Sequence, residues 1–541
     1  MQTTHTGTLD VTIEIDAGQT EGPLEPIWRF FGADEPNYAY MDNGRALLQA
    51  LGELKPGDVY FRAHNLLTSG DGEPGLKWGS TNAYTEDADG NPVYDWTIVD
   101  RIFDAYLERG VRPYVQIGFM PEAMTTSDGP YRHRWGVGDE YGEIFTGWAY
   151  PPKDYEKWGN LVEAWARHCL ERYGQAEVDT WWWQTWNEAN IGYWQGTPEE
   201  FYKLHDYAIA GVRRALPTAR VGGPDTAGWG GNFGRGFYEH CLRGTNHATG
   251  EVGTPIDFTS FHAKGSPKQT EGPDPHIRMG IANQLREIDR GFGLVASFPE
   301  LKDKPIVIGE SDPEGCAACK GPDFDYRNGH MYASYTAAVF PRKHLLADKH
   351  GVNFAGALTW AFTFEDQPYF AGFRQLMTTG QIPLAVLNVF RLMARMSGDR
   401  LSSASDGQIA LEKMVADGVR EQPDVGVMAS RSGDGKVSAF LWHYHDDDLP
   451  GPDAEVRVHI ANLPGEPTSL RVLRVDKEHA DAYAAWQTMG SPAEPTDEQV
   501  RQLREAAMLT EEAIEVESFA DGRATVRVVV PRHGVCLLEL A

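Results

Sequence analysis

Between residues 25 and 400, short apolar runs alternate with stretches of helical periodicity, and few folds absorb such a pattern. The runs are "IWRFFGA", "VYFRAHN", "RPYVQIGF", "TWWWQTWNE", "RVGGPDT", "DFTSFHA", "PIVIGE" and "FAGALTWAF", eight in all. Each has strand length, and the segments between them read as helices. In "DWTIVDRIFDAYLERG", Ile98, Ile102 and Tyr106 recur every fourth residue and Gly110 is placed to end the helix. Thr197, Pro198 and Glu200 form a capping-box start for a helix that carries Phe201, Leu204 and Ala208. Eight strand-helix units predict an α/β fold, a closed (β/α)₈ barrel. A doubly wound open sheet is the competing architecture, but no glycine-rich dinucleotide turn follows the first strand.

After residue 400 the period changes to two. "DVGVMAS", "KVSAFLWHYH", "AEVRVHIANL", "SLRVLRVD" and "ATVRVVVPRHGVCLLEL" predict an accessory β-sandwich, which the early "TLDVTIEID" can complete. The expected organisation is an N-terminal strand at 1–20 that joins the sandwich, a catalytic barrel at 21–400 and the sandwich at 401–541. Without a low-complexity linker the two domains should pack closely. The long connections at 66–94 and 120–152 follow the second and third barrel strands, so they belong on the rim where specificity is set and suggest a closed pocket.

Charge narrows the partners. The 49 Lys and Arg stand against 78 Asp and Glu, a net charge of −29, which repels nucleic acid and anionic membranes. No segment approaches the roughly 20 apolar residues that span a bilayer, and no leader pattern opens the chain, so a cytoplasmic location is expected. Specific homo-oligomers remain compatible with this surface. The five cysteines are too few for a disulfide framework and mildly favour a reducing compartment. Cys316 and Cys319 have zinc-type spacing without a second ligand pair; a loop thiol pair, or a local disulfide if secreted, is expected, and no metal.

Chemistry concentrates in "TWWWQTWNEANIGYW". Strict alternation puts Trp182, Gln184, Trp186 and Glu188 on one strand face, with Glu188 at the carboxyl end where barrel active sites are built. Rings around that carboxyl should desolvate it and raise its pKa, as a proton donor near neutrality requires. In "KPIVIGESDPEG", Glu310 ends the seventh strand in the same way. Two glutamates facing one another across a barrel mouth can cleave a glycosidic bond, one protonating the leaving oxygen while the other attacks the anomeric carbon. Taken alone, either could simply pair with a rim Arg or Lys.

"WNEAN" followed by a strand-end glutamate in "GES" resembles the acid/base and nucleophile pair of the glycoside hydrolase clan with (β/α)₈ barrels, and in detail glycoside hydrolase family 39. "FRAHNLL", "IGFMPEAM", "VGGPDTAG", "SFHAKG" and "AFTFEDQPYFAGF" look like segments of the same family, whose members are retaining enzymes with an accessory β-sandwich. The resemblance implies Glu188 as acid/base, Glu310 as nucleophile and Asn187 as partner of the sugar 2-hydroxyl. It implies sugar contacts for Arg62, His64 and His262, and draws attention to Trp360 as a stacking ring and Glu365 as a substrate-proximal group. No cofactor is implied. Ala189 stands where a proline usually follows, and "GQIPLAV" lacks the Lys-Pro common in xylosidases. A retaining exo-acting β-xylosidase is the expected activity, on an oligosaccharide or glycoside. Lys264 and the "ESDPEG" segment are closer to iduronidases, in which a sixth-strand Lys and an Arg after the eighth strand, here Arg374, bind a uronic carboxylate. A uronic-acid-releasing enzyme is therefore the alternative. Endo-acting glycanases and a carbohydrate-binding barrel without activity are the remaining readings.

Overall fold

The computed structural model describes residues 7–541 apart from 136–139, 141–142 and 362. The first six residues of the expected N-terminal segment, part of the 120–152 connection and Phe362 of the eighth apolar run lie outside the described residues. Strand β1 (Leu9–Pro23) enters a large sheet described below. The barrel follows, as β2 (Phe30–Ala33), β3 (Val59–Ala63), β4 (Val111–Ile117), β5 (Trp182–Thr185), β6 (Arg220–Thr226), β7 (Phe258–His262), β8 (Ile306–Glu310) and β9 (Phe354–Trp360). These eight pair in parallel and in sequence order, and β9 closes on β2. Each of the eight apolar runs overlaps one of them, and seven contain the whole strand.

A helix follows every barrel strand: α1 (Asp42–Gly52), α2 (Thr97–Leu107), α3 (Tyr155–Tyr173), α4 (Pro198–Ala215), α5 (Gly231–Arg243), α6 (Ile281–Ala296), α7 (His330–His350) and α8 (Ala385–Ala394). Helix α4 starts with the capping box read from Thr197 and Glu200. Past the end of α2, Gly110 adopts a left-handed φ of 70° and donates its amide to the Leu107 carbonyl.

Inside the barrel, Phe30, Tyr60, Tyr114, Trp182, Phe258, Val307 and Leu358 fill a floor beneath the mouth. Rings from different strands stack or meet edge to face, as between Phe30 and Tyr60 or Trp182 and Phe258, so the interior is packed and not a channel. Their strand neighbours of opposite phase, such as Trp183 and Ile308, pack outward under the helices.

After the barrel come β10 (Asp399–Ser405), β11 (Asp424–Arg431), β12 (Val437–Tyr444), β13 (Ala454–Ala461), β14 (Leu470–Val475), β15 (Glu512–Ala513), β16 (Ser518–Ala520), β17 (Arg523–Val530) and β18 (Val535–Leu540). With β1 they form one ten-stranded sheet, in the order β15-β14-β18-β12-β11-β10-β1-β13-β17-β16. Residues from both halves of that order, among them Val472, Leu538, Val458 and Val526, share a single buried cluster, so the sheet folds over on itself. The sandwich expected from the sequence is thus one continuous ladder, bent where the register of β1 slips between Asp16 and Pro23. The expected boundaries at residues 20 and 400 both fall inside strands of this sheet, β1 and β10.

Two strands in one half of the sheet are buried on both faces. All eight residues of β12 and all six of β18 are buried, because Phe440, Trp442 and Leu537 pack on the barrel's helical layer while Leu441 and Leu538 face the other half. The outer half alternates, with Val456, Val458 and Ile460 inward and Arg457 exposed between them. Across the seam, Arg342 on α7 donates to both oxygens of Asp424 at 2.7 Å, and Trp442 Nε1 donates to the same carboxylate. Among the described residues, no helix is long and apolar enough to cross a membrane.

Candidate active site

The carboxyl ends of the barrel strands open into a cavity of 630 Å³, lined among others by His64, Glu188, Lys264, Glu310, Trp360 and Arg374. Both long rim connections reach it, one through Lys77 and the other through Trp135 and Ile144.

Glu188 does not arrive there by alternation. Trp182 and Gln184 point into the barrel, where Gln184 accepts from the Tyr114 hydroxyl at 2.6 Å. Strand β5 then ends, Trp186 turns left-handed at φ 66°, and its ring packs in the outer cluster instead of sharing the inner face. Glu188 is left-handed as well, at φ 46°. Such backbone costs about 1 kcal/mol or more for a residue with a side chain, so it needs fixed partners. They are the Ile117 carbonyl, which accepts from Trp186 N at 2.9 Å, and the Asp225 carbonyl, which accepts from Glu188 N at 2.9 Å. Glu310 follows a similar irregularity, because the pairing of β8 with β7 shifts between Ile308 and Glu310.

The two carboxylates share a set of basic side chains. His262 Nδ1 lies 2.8 Å from Glu188 Oε1 and 3.8 Å from Glu310 Oε1. Lys264 Nζ contacts Glu310 Oε2 and lies 4.0 Å from Glu188 Oε1. Arg62 Nη2 donates to Glu310 Oε1 at 3.1 Å and to Asn187 Oδ1 at 3.3 Å. His64 Nε2 stands 3.6 Å from Glu310 and 3.3 Å from Asp34. One oxygen of each glutamate and a nitrogen of His262 all lie within 4.8 Å of one another.

This charge pattern corrects one expectation. Burial does push the Glu188 carboxyl up, but Lys264 and the hydrogen bond from His262 more than reverse it, and its pKa lies below the ordinary value. The residues against it are basic, not the aromatic wall read from the sequence. Glu310 is held well below its ordinary value in the same way, with burial overcome by Lys264, His262, His64 and Arg62. Both groups are therefore ionised at neutral pH.

The other sequence candidates separate into layers. His64, Lys264, Trp360 and Arg374 line the cavity, while Arg62, Asn187 and His262 are buried beneath it against the glutamates. Trp360 lies under the Arg62 guanidinium and tilts against the His64 ring. Arg374 is fully buried and paired, with Nη1 2.8 Å from Glu314 and Nη2 3.6 Å from Asp312. Glu365 is not brought to the cavity; its carboxylate accepts from the Asn43 amide at the start of α1. Cys316 and Cys319 form a disulfide on the cavity wall, the local bond that the sequence left open.

Several residues of the mouth were missed. Asp34, which binds Lys77 and His64, and Asp225, which binds Arg62 and His262, are strand-end carboxylates like the two glutamates, so the same positional rule would have found them. Ile191 and Tyr193 line the cavity from the loop after Glu188, where only their side-chain type was visible.

The chain and its fold have counterparts. A family model described as glycosyl hydrolases family 39 matches residues 11–525. A β-xylosidase of Geobacillus stearothermophilus is 26% identical over 512 residues, which cover 90% of this chain and 87% of that protein. An α-L-iduronidase of Mus musculus is 26% identical over 449 residues, 76% of this chain and 63% of that protein. Among solved structures, a bacterial orthologue of human α-L-iduronidase superposes with a TM-score of 0.77 at 20% identity, covering 99% of this chain and 84% of that one.

Proposed function

Because the chain belongs to glycosyl hydrolases family 39, we propose that it is a retaining, exo-acting β-xylosidase in which Glu310 is the nucleophile and Glu188 the acid/base. The chain is a glycoside hydrolase and its substrate a glycan; the sugar and the residue roles are the proposal. The observation that carries it is the closeness of the two carboxylates, with oxygens inside 4.8 Å. Retaining enzymes hold the pair about 5–5.5 Å apart, whereas inverting ones leave roughly 6.5–9.5 Å for a water.

Glu310, ionised beside Lys264 and Arg62, attacks the anomeric carbon while Glu188 gives its proton to the leaving oxygen. A glycosyl ester on Glu310 results. Glu188, now a carboxylate, takes a proton from water, and the water oxygen displaces Glu310 with net retention. Asn187, fixed by Arg62, is proposed to meet the 2-hydroxyl, and His64 and Trp360 to bound the sugar. A carbohydrate-binding barrel without activity is disfavoured by a nucleophile so heavily biased to its ionised form.

The uronic-acid reading rests on Lys264 and Arg374, both of which line the cavity. Each already has carboxylate partners within the protein, Lys264 with Glu310 and Arg374 with Glu314 and Asp312. A substrate carboxylate would have to displace them, and β-D-xylose, which has no exocyclic group at C5, needs no such site. Lys264→Ala cannot decide between the readings, because Lys264 touches the nucleophile. Wild-type turnover of aryl β-xyloside against β-glucuronide, α-L-iduronide and α-L-arabinoside decides: xyloside hydrolysis supports the proposal, and uronide hydrolysis with inert xyloside replaces it by the alternative.

The disulfide favours an oxidising compartment over the cytoplasmic expectation. Light scattering would establish whether the chain forms homo-oligomers.

A further inference from the structure

Asp225 ends β6 without exposed surface, one layer below the two glutamates. Its carboxylate meets Arg62 Nη1 from β3 and His262 Nε2, at 3.0 Å, from β7. The other ring nitrogen of His262 faces Glu188 Oε1 at 2.8 Å. The imidazole thus stands between two carboxylates, hydrogen-bonded to Glu188 and in ion-pair contact with Asp225, and two flanking anions stabilise a ring that carries a proton on each nitrogen. The main chain is tied to the same residue, since Glu188 N donates to the Asp225 carbonyl at 2.9 Å. Strand β8 makes room as well: a Cβ on Gly309 would lie 1.8 Å from Asp225 Oδ1, so only glycine fits beside Glu310.

We infer that Asp225 is a positioning residue for the acid/base step: by pairing its carboxylate with the second ring nitrogen of His262 it keeps a cation against Glu188, and so strengthens Glu188 as the acid that protonates the departing oxygen. The inference rests on the reading of Glu188 as the acid/base. The other charged groups around Glu188 and His262 are Lys264 on the loop after β7, Glu310 from β8, and Arg62 with His64 from β3. None of them touches the far side of the His262 ring. Without Asp225, Arg62 keeps Glu310, Asn187 and the Trp360 face, whereas His262 Nε2 loses its carboxylate. A cation lost at 2.8 Å from Glu188 outweighs an anion lost on the other side of the ring, so Glu188 becomes a weaker acid.

The test compares Asp225→Asn with wild type on two xylosides, one with a dinitrophenyl leaving group that needs no proton and one with an alkyl leaving group that does. We expect kcat/KM to fall about 30-fold for the alkyl xyloside and to stay within about 3-fold for the dinitrophenyl one, with the alkaline limb of the pH profile moved upward. His262→Asn, which also removes a neighbour of Glu310, should lower both rates but the alkyl xyloside more, and adding Asp225→Asn to it should cost nothing more. Equal losses on both substrates with an unmoved limb, or fully additive losses in the double variant, overturn the inference. If Asp225→Asn does not fold, His262→Asn alone carries the test, and unselective loss there overturns it. Glu188→Ala serves as the control: if it too fails to discriminate between leaving groups, the acid/base reading falls, whereas selective loss there with unselective loss at Asp225 removes only this inference.

Discussion

Among the described residues, histidine and carboxylate meet in two tight groups, and the two differ in who is short of partners. At the mouth stand Glu188, His262 and Glu310; on the outer helical layer stand Asp206 of α4, His240 of α5 and His247 of the following loop. In the outer group one carboxylate collects every donor. Asp206 accepts from His240 Nε2 at 2.9 Å, from the His247 amide and Nδ1 at 2.8 Å, and from the Thr254 hydroxyl. No lining residue of the mouth cavity belongs to it. This is a latch that pins the 244–254 loop to two helices. At the mouth, two carboxylates compete for Arg62, Lys264 and the histidines, and the arrangement opens on 630 Å³ of space. The same side chains hold a fold together when one acceptor is saturated, and are ready to exchange protons when acceptors share donors beside a cavity.

That contrast can be broken most directly at Glu310. Glu310→Ala should lower turnover by about 10⁴-fold or more, with azide restoring it as a glycosyl azide of inverted configuration. Failure of azide to do so, with rescue of inverted configuration at Glu188→Ala instead, would exchange the two roles. Glu188→Ala should lower turnover of unactivated xylosides by about 10²–10⁴-fold, and azide should then give a product of retained configuration.

The pH profile sharpens the contrast further. Both mouth carboxylates titrate below their ordinary values. Since Glu310 must be ionised and Glu188 protonated in the free enzyme, kcat/KM for an unactivated xyloside should peak on the acid side and decline before neutrality. A maximum at or above pH 7 would contradict the charge pattern around Glu188.

The outer cluster should respond in stability alone. Asp206→Asn should destabilise by about 3 kcal/mol in denaturant melts while kcat of the folded fraction stays at wild-type level. Burial pushes Asp206 up, yet hydrogen bonds from His240, His247 and Thr254 hold it below its ordinary value. Its contribution is therefore present above the pKa of an unfolded aspartate and lost as pH falls through the lower folded value, a loss absent from the Asn variant. His247→Ala, at the exposed end of the latch, should cost about 1 kcal/mol. A change in kcat from either variant would mean the two clusters are coupled.

Local patterns were legible in the sequence because they depend on neighbours along the chain. The eight strands, the capping box at Thr197 and the positions of Glu188 and Glu310 at strand ends follow from periods of two and 3.6 and from fixed short spacings. So does the second region, where Val456, Val458 and Ile460 alternate with exposed residues. Strand β12 is buried on both faces only because α7 covers it, and no period within "VSAFLWHY" announces that cover.

The site was decided later, by closure. Alternation carried forward from Trp182 puts Trp186 inside the barrel, but a left-handed turn sends it outward, because the Ile117 and Asp225 carbonyls of neighbouring strands hold that turn in place. The acidity of Glu188 depends on Lys264, His262 and Glu310, which lie as many as 122 residues away along the chain and meet only when β5 to β8 stand side by side. Hydrophobic period is a property of each segment, so sequence alone determined the barrel and the identity of its strand-end carboxylates. Electrostatics falls off with distance through space and not along the chain, so which carboxylate is cooled by which cation was settled by the tertiary structure.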